Sequence, residues 1–138
     1  MTIVLDSSAT MVWVFPDEDT DVAVTLFEHV VREGAVVPSL WKLEVANTLL
    51  SAERRGRIDK EFREAAVTDL EAMPIMIDGE TSAHAWRTTL DLAASHRLTV
   101  YDAAYLELAL RNNMALATLD KELARAADEL GLTVIGVI

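Results

Sequence analysis

Short apolar runs alternate with longer amphipathic stretches along the whole chain. Residues 2–5, 35–37, 75–77, 114–118 and 133–137 are nearly all apolar and bounded by turn or cap residues, the pattern of buried strands. Between them, helical spacing predicts helices over 7–15 (stopped by Pro16), 19–32 (ended by Gly34), 40–55, 59–73 (broken at Pro74), 81–96, 103–111 and 121–130. Hairpin signals are absent. Alternation of this kind predicts an α/β domain whose mostly parallel sheet is covered on both faces. At 138 residues it forms one domain, 1–138.

In such sheets ligands bind beyond the C-terminal ends of the strands, at a topological switch point. Asp6 directly follows the first strand, and Asp120 closely follows the fourth. Asp102 opens the helix that precedes the fourth strand. A helix over 103–111 advances ~14 Å and a strand over 114–118 returns ~16 Å, which brings Asp102 and Asp120 to one edge. On that helix only Glu107 and Arg111, an i,i+4 pair, form the exposed edge. Glu44 lies in the second turn of the helix after strand two. It shares a narrow polar stripe with Asn47 and Ser51, while Trp41, Leu43, Val45, Ala46, Leu49 and Leu50 fill most of the circumference.

Taken singly, each acid has a structural role open to it: Asp6, Asp102 and Asp120 as helix caps, Glu44 as a solvated charge. Together, four carboxylates at one edge repel one another unless a cation lies among them. All-oxygen ligands suit Mg²⁺ or Mn²⁺. The absence of cysteine excludes thiolate chemistry, and the three histidines lack ligand spacing. The net charge of −11 argues against non-specific grip on nucleic acid. The N-terminal stretch lacks a basic region and no apolar run reaches membrane-spanning length, so a soluble cytoplasmic protein is expected. Trp13, Trp41 and Trp86 read as core or interface positions, and Asp78-Gly79 as a turn. Arg54, Arg55 and Arg57 read as helix-end cations or phosphate contacts.

Four features now stand in order: an Asp after an N-terminal strand, V-P-S-L-W-K-L-E-V-A-N-T-L with Glu44, Y-D-A-A-Y with Asp102, and A-T-L-D-K-E-L with Asp120. Their order and spacing resemble the PIN domain over essentially the whole chain, most of all the single-domain VapC toxins of toxin–antitoxin modules. The resemblance implies a three-layer α/β/α fold with five parallel strands in order 3-2-1-4-5. It implies metal-dependent endoribonuclease activity with Mg²⁺, replaceable by Mn²⁺. By position it makes Asp6, Glu44, Asp102 and Asp120 the catalytic, metal-binding acids and Thr118 a supporting hydroxyl. Glu122, the next acid, leaves the number of metals open.

The implied partners are an RNA substrate and a cognate antitoxin, with no membrane. An antitoxin tail carrying Arg or Lys would enter the acidic cluster and anchor on the run Met11 to Phe15. RNA would meet Arg54, Arg55, Arg57 and Lys121. Trp13, Phe15 and Phe27 give more apolar surface than one sheet face needs, which points to a homodimer. A receiver-like module or a haloacid-dehalogenase-like phosphatase would want acids where Ser7 and Ser8 stand. A PIN fold used only for binding is the other alternative.

Overall fold

A computed structural model describes residues 1–15 and 20–136. Its sheet consists of β1 (Ile3–Leu5), β2 (Ala35–Val37), β3 (Ile75–Ile77), β4 (Leu116–Ala117) and β5 (Val134–Ile135). All pairings are parallel and the order is β3-β2-β1-β4-β5. The central strand is apolar throughout because both its faces are covered, and Ile3, Val4 and Leu5 are all buried. Val4 lies beside Val36 on one side and Leu116 on the other.

The helices are α1 (Ser7–Val14), α2 (Asp21–Glu33), α3 (Trp41–Arg54), α4 (Lys60–Glu71), α5 (Thr81–His84), α6 (Leu90–His96), α7 (Val100–Asn112) and α8 (Lys121–Glu129). Helices α1 to α4 pack among themselves and α5 to α8 among themselves, giving the α/β/α layers. The expected helix over 81–96 is continuous, but α5 and α6 are joined through a π-helical segment, Ala85–Thr89. Trp86, in that segment, is 90% exposed and belongs to no core. The expected stop at Pro16, helix start at Asp19 and strand end at Val137 lie outside the described residues. Gly34, at φ 83°, ends α2 where an added Cβ would meet Pro74 O at 3.3 Å, so glycine's freedom is needed there.

Two expectations about α7 are corrected. It begins at Val100, earlier than its apolar periodicity suggests, because the Thr99 hydroxyl accepts from Asp102 N at 3.1 Å and caps it. Asp102 is therefore a first-turn residue, not a cap. Glu107 is not on an exposed edge: it is only 3% exposed, and Ala103 to Ala109 are all buried. The buried charge is matched by Arg111, whose Nε donates to Glu107 Oε2 at 2.8 Å while Nη2 reaches Asp78 Oδ2 at 2.6 Å. The Asp78 turn is thus also an ion-pair partner. Burial of side chains such as Leu106 and Leu108 contributes about 2 kcal/mol each to fixing α7 on the sheet.

Arg111→Ala strands Glu107 as a buried, unpaired charge and should cost about 3 kcal/mol in urea unfolding at pH 7. Arg111 holds the Asp78 carboxyl below its ordinary value, chiefly by hydrogen bonding. A depressed acid stabilises above its unfolded pKa and loses that contribution as pH falls. The gap between wild type and variant should therefore narrow in acid, and a gap independent of pH would contradict this pairing.

Candidate active site

The β1–β4 ladder extends one residue past β1, with Asp6 N donating to Ala117 O at 3.1 Å. The chain then turns into α1, which Asp6 caps. Its Oδ1 accepts from Ala9 N at 2.8 Å and from Ser8 Oγ at 2.7 Å. Its Oδ2 accepts from the Thr118 hydroxyl, just past β4. That same hydroxyl accepts from Asp120 N at 3.0 Å. Ser8 Oγ in turn accepts from Leu119 N at 3.0 Å. Asp120 caps α8, with Oδ1 accepting from Leu123 N at 3.0 Å. The two strand ends that carry Asp6 and Asp120 are therefore tied by two hydroxyls.

Glu44 and Asp102 arrive from opposite helical layers. The Trp41 indole donates to Thr10 Oγ1 at 3.1 Å, and Thr10 donates to Asp6 O at 2.8 Å, which fastens α3 to α1. One turn after Trp41, half-buried Glu44 accepts a hydrogen bond from Tyr105 on α7. Tyr105 lies one turn after Asp102 and is 1% exposed. The two sides of the site thus meet through the tyrosine. Helix α3 is less enclosed than its sequence suggests, since Leu43 is 75% exposed and Ala46 and Asn47 are exposed too.

Burial pushes Asp6 up to about 6, against the donors Thr118, Ala9 and Ser8, and the charge of Asp102 adds to the rise. Glu44 is raised by burial and by Asp102, with Tyr105 opposing. Asp102 is raised by burial and by Asp120, with Thr99 opposing. These interactions join all four acids in one electrostatic cluster with Asp102 at its centre. Burial and the bond to Glu44 raise Tyr105 far above its ordinary value, so it stays a donor.

A family model described as PIN domain matches residues 3–129. The chain belongs to the PIN domain family. This PIN chain is 31% identical over 126 residues to Ribonuclease VapC3 of Pyrobaculum aerophilum, covering 90% of the chain and 93% of that protein. Its fold is similar to the crystal structure of PAE2754 from Pyrobaculum aerophilum, with TM-score 0.70 and 21% identity over 97% of this chain and 83% of the other. It is also similar to VapBC2 from Rickettsia felis bound to a DNA fragment from their promoter, with TM-score 0.66, 12% identity and 97% coverage of each chain.

PIN nucleases imply a divalent metal, and the donor set here suits one. Among the described residues, the groups that act on Asp6, Glu44 and Asp102 are hydroxyls, a backbone N–H and other carboxylates, with no Lys or Arg. Among the described residues no three acids or histidines converge tightly enough to ligate one ion together. Mg²⁺ ordinarily takes one or two carboxylates and keeps several waters, which this looser arrangement accommodates. Glu122 stands apart, paired with Arg125 at 2.9 Å on the surface of α8. Arg57 lies 4.0 Å over the Phe15 ring, while Arg54, Arg55 and Lys121 are exposed. Sequence reasoning gave no role at the site to Ser8, Thr10 or Tyr105. The S-x-T spacing of Ser8 and Thr10 after Asp6 was the available signal.

An acid raised on folding makes the folded state hold its proton more tightly, so its stabilising share is present below the unfolded pKa and lost as pH rises through the folded one. For Asp6 that window runs from 3.8 to about 6. In EDTA, the melting temperature of wild type relative to Asp6→Asn should fall as pH rises across this window and level off above it. Added Mg²⁺ should restore wild type but not the variant. A difference that stays flat with pH would mean that Asp6 is not strained by burial.

Proposed function

We propose that this PIN chain is a divalent-metal-dependent endoribonuclease acting as the toxin of a toxin–antitoxin pair. The observation that carries the reading is the set Asp6, Glu44, Asp102 and Asp120; among the described residues no Lys or Arg acts on the first three. The name Ribonuclease VapC3, borne by a relative matched over most of both chains, supports RNA as the substrate. Asp6 and Asp102 are the chief metal-holding residues, and Glu44 and Asp120 orient water or assist a second ion. Bound Mg²⁺, or Mn²⁺ in its place, supplies Lewis acidity at the scissile phosphate and lowers the pKa of a bound water. The chain's own part is position. Thr118 and Ser8 hold Asp6 against the strand end, and the caps of α1 and α8 fix the entry of both helices. No side chain is required as a covalent nucleophile.

The cytoplasm is the compartment this reading expects; among the described residues no helix is long and apolar enough to cross a membrane. Long-range attraction for RNA is weak in so acidic a chain, so binding draws on the metal and on local cations such as Arg54, Arg55 and Lys121. The fold shared with VapBC2 from Rickettsia felis supports an antitoxin partner. Met11, Val12 and Phe15 are buried and unavailable as anchors. A groove of about 430 Å³ lined by Trp13, Val14, Phe27 and Phe62 remains for its apolar residues, while an Arg or Lys of the antitoxin meets the acids. Val24, Phe27 and Val31 on α2 are 40–52% exposed, an apolar face that supports a homodimer even with Phe15 spoken for.

EDTA should abolish cleavage of structured RNA, and Mg²⁺ or Mn²⁺ should restore it; cleavage undiminished by EDTA would end the metal reading. Asp102→Asn should lower turnover by orders of magnitude while leaving metal-free stability equal or higher, since one source of repulsion is gone. Expressed alone in its own host the wild type should arrest growth, the neighbouring antitoxin gene should relieve the arrest, and Asp102→Asn should be harmless. Unaffected growth and RNA at confirmed protein levels would remove the toxin role. Light scattering should report a dimer at high micromolar concentration, and a monomer there would count against the α2 face.

A further inference from the structure

We propose that Tyr105 is a positioning residue for Glu44, and that through it the chain sets the affinity of the acidic site for a divalent cation. The proposal rests on the metal-nuclease reading above. Tyr105 sits in the fully buried run of α7, where packing fixes its ring and hence its hydroxyl. Glu44 is a half-buried side chain on α3 with much rotamer freedom of its own. The hydroxyl holds Glu44 Oε1, and Oε2 accepts no hydrogen bond from the described residues. Tyr105 follows Asp102 by three positions, so both lie on one face of one helix. Helix α7 therefore carries one acid of the site and the group that restrains another from the opposite layer. Their relative placement is fixed by a single rigid element rather than by two helices adjusting separately. Outer partners of this kind tune metal sites without touching the metal.

The experiment compares wild type, Tyr105→Phe, Glu44→Gln and the double variant, all prepared metal-free. Calorimetric titration with Mn²⁺ gives the affinity, and steady-state RNA cleavage gives kcat and KM. Tyr105→Phe should weaken Mn²⁺ binding about 10-fold and lower kcat with KM for RNA unchanged. In the Glu44→Gln background the same substitution should change Mn²⁺ binding no further. Glu44→Asp, which keeps the charge but withdraws it from the hydroxyl, should reproduce the loss from the other partner. Thermal unfolding in EDTA establishes that each variant is folded. Wild-type affinity in Tyr105→Phe, or an equal loss in both backgrounds, would overturn the proposal and leave the metal-nuclease reading intact. Failure of the wild type itself to bind Mn²⁺ would overturn both.

Discussion

One hydroxyl, that of Thr118, is shared between the two strand ends from which the site is built. It donates to the Asp6 carboxylate and accepts from Asp120 N. The constraint follows from the sheet. Strands β1 and β4 are neighbours although their residues lie more than a hundred positions apart, and each ends in an acid-bearing turn. A carboxylate only 4% exposed is costly unless its oxygens are satisfied. Thr118, Ser8 and Ala9 N supply the donors, yet burial still wins and leaves Asp6 raised. The residual strain is electrostatic, and a cation would relieve it.

Capping and ligand roles are compatible here. Asp6 and Asp120 each give one oxygen to a helix N-terminus, so the structural reading of each is correct. Asp102 lies in the first turn of α7, where the helix dipole also favours a negative charge. The starts of α1 and α7 thus favour the charges of Asp6 and Asp102, which burial and neighbouring carboxylates oppose. Glu44 also lies in a first turn, that of α3, rather than in the second turn expected from the sequence, and the Tyr105 hydroxyl holds it as well. The site is acidic by construction, and the rest of the chain is acidic as well, which limits its grip on polyanions to local contacts.

Much of this architecture was legible in the sequence. Strands β2 and β3 fall where their apolar runs lie, and the parallel order with its switch point between β1 and β4 agrees with the resemblance. Asp6 and Asp120 stand just past β1 and β4, where the sequence pattern puts them, and Asp102 lies near enough to act on Asp6 and Glu44. What escaped reading were partners rather than positions. Glu107 looks like an outward charge on a helical wheel because periodicity cannot see Arg111 and Asp78 folding over it. Tyr105 counts as apolar in any pattern, so its hydroxyl goes unnoticed. Thr99 sets the start of α7, but the cap precedes exposed Val100 and Tyr101, which do not fit the buried face. Of the two places its amphipathic pattern allowed Trp86, core or interface, exposure of 90% removes the core.

The buried hydroxyl bridge and the acids around it are proposed to form a divalent-cation site. Anomalous diffraction from crystals soaked in Mn²⁺ measures this directly. A manganese peak should lie in contact with Asp6 and Asp102, with Glu44 or Asp120 bordering it. No peak at these acids at saturating Mn²⁺, in crystals whose protein cleaves RNA in the same solution, would contradict it.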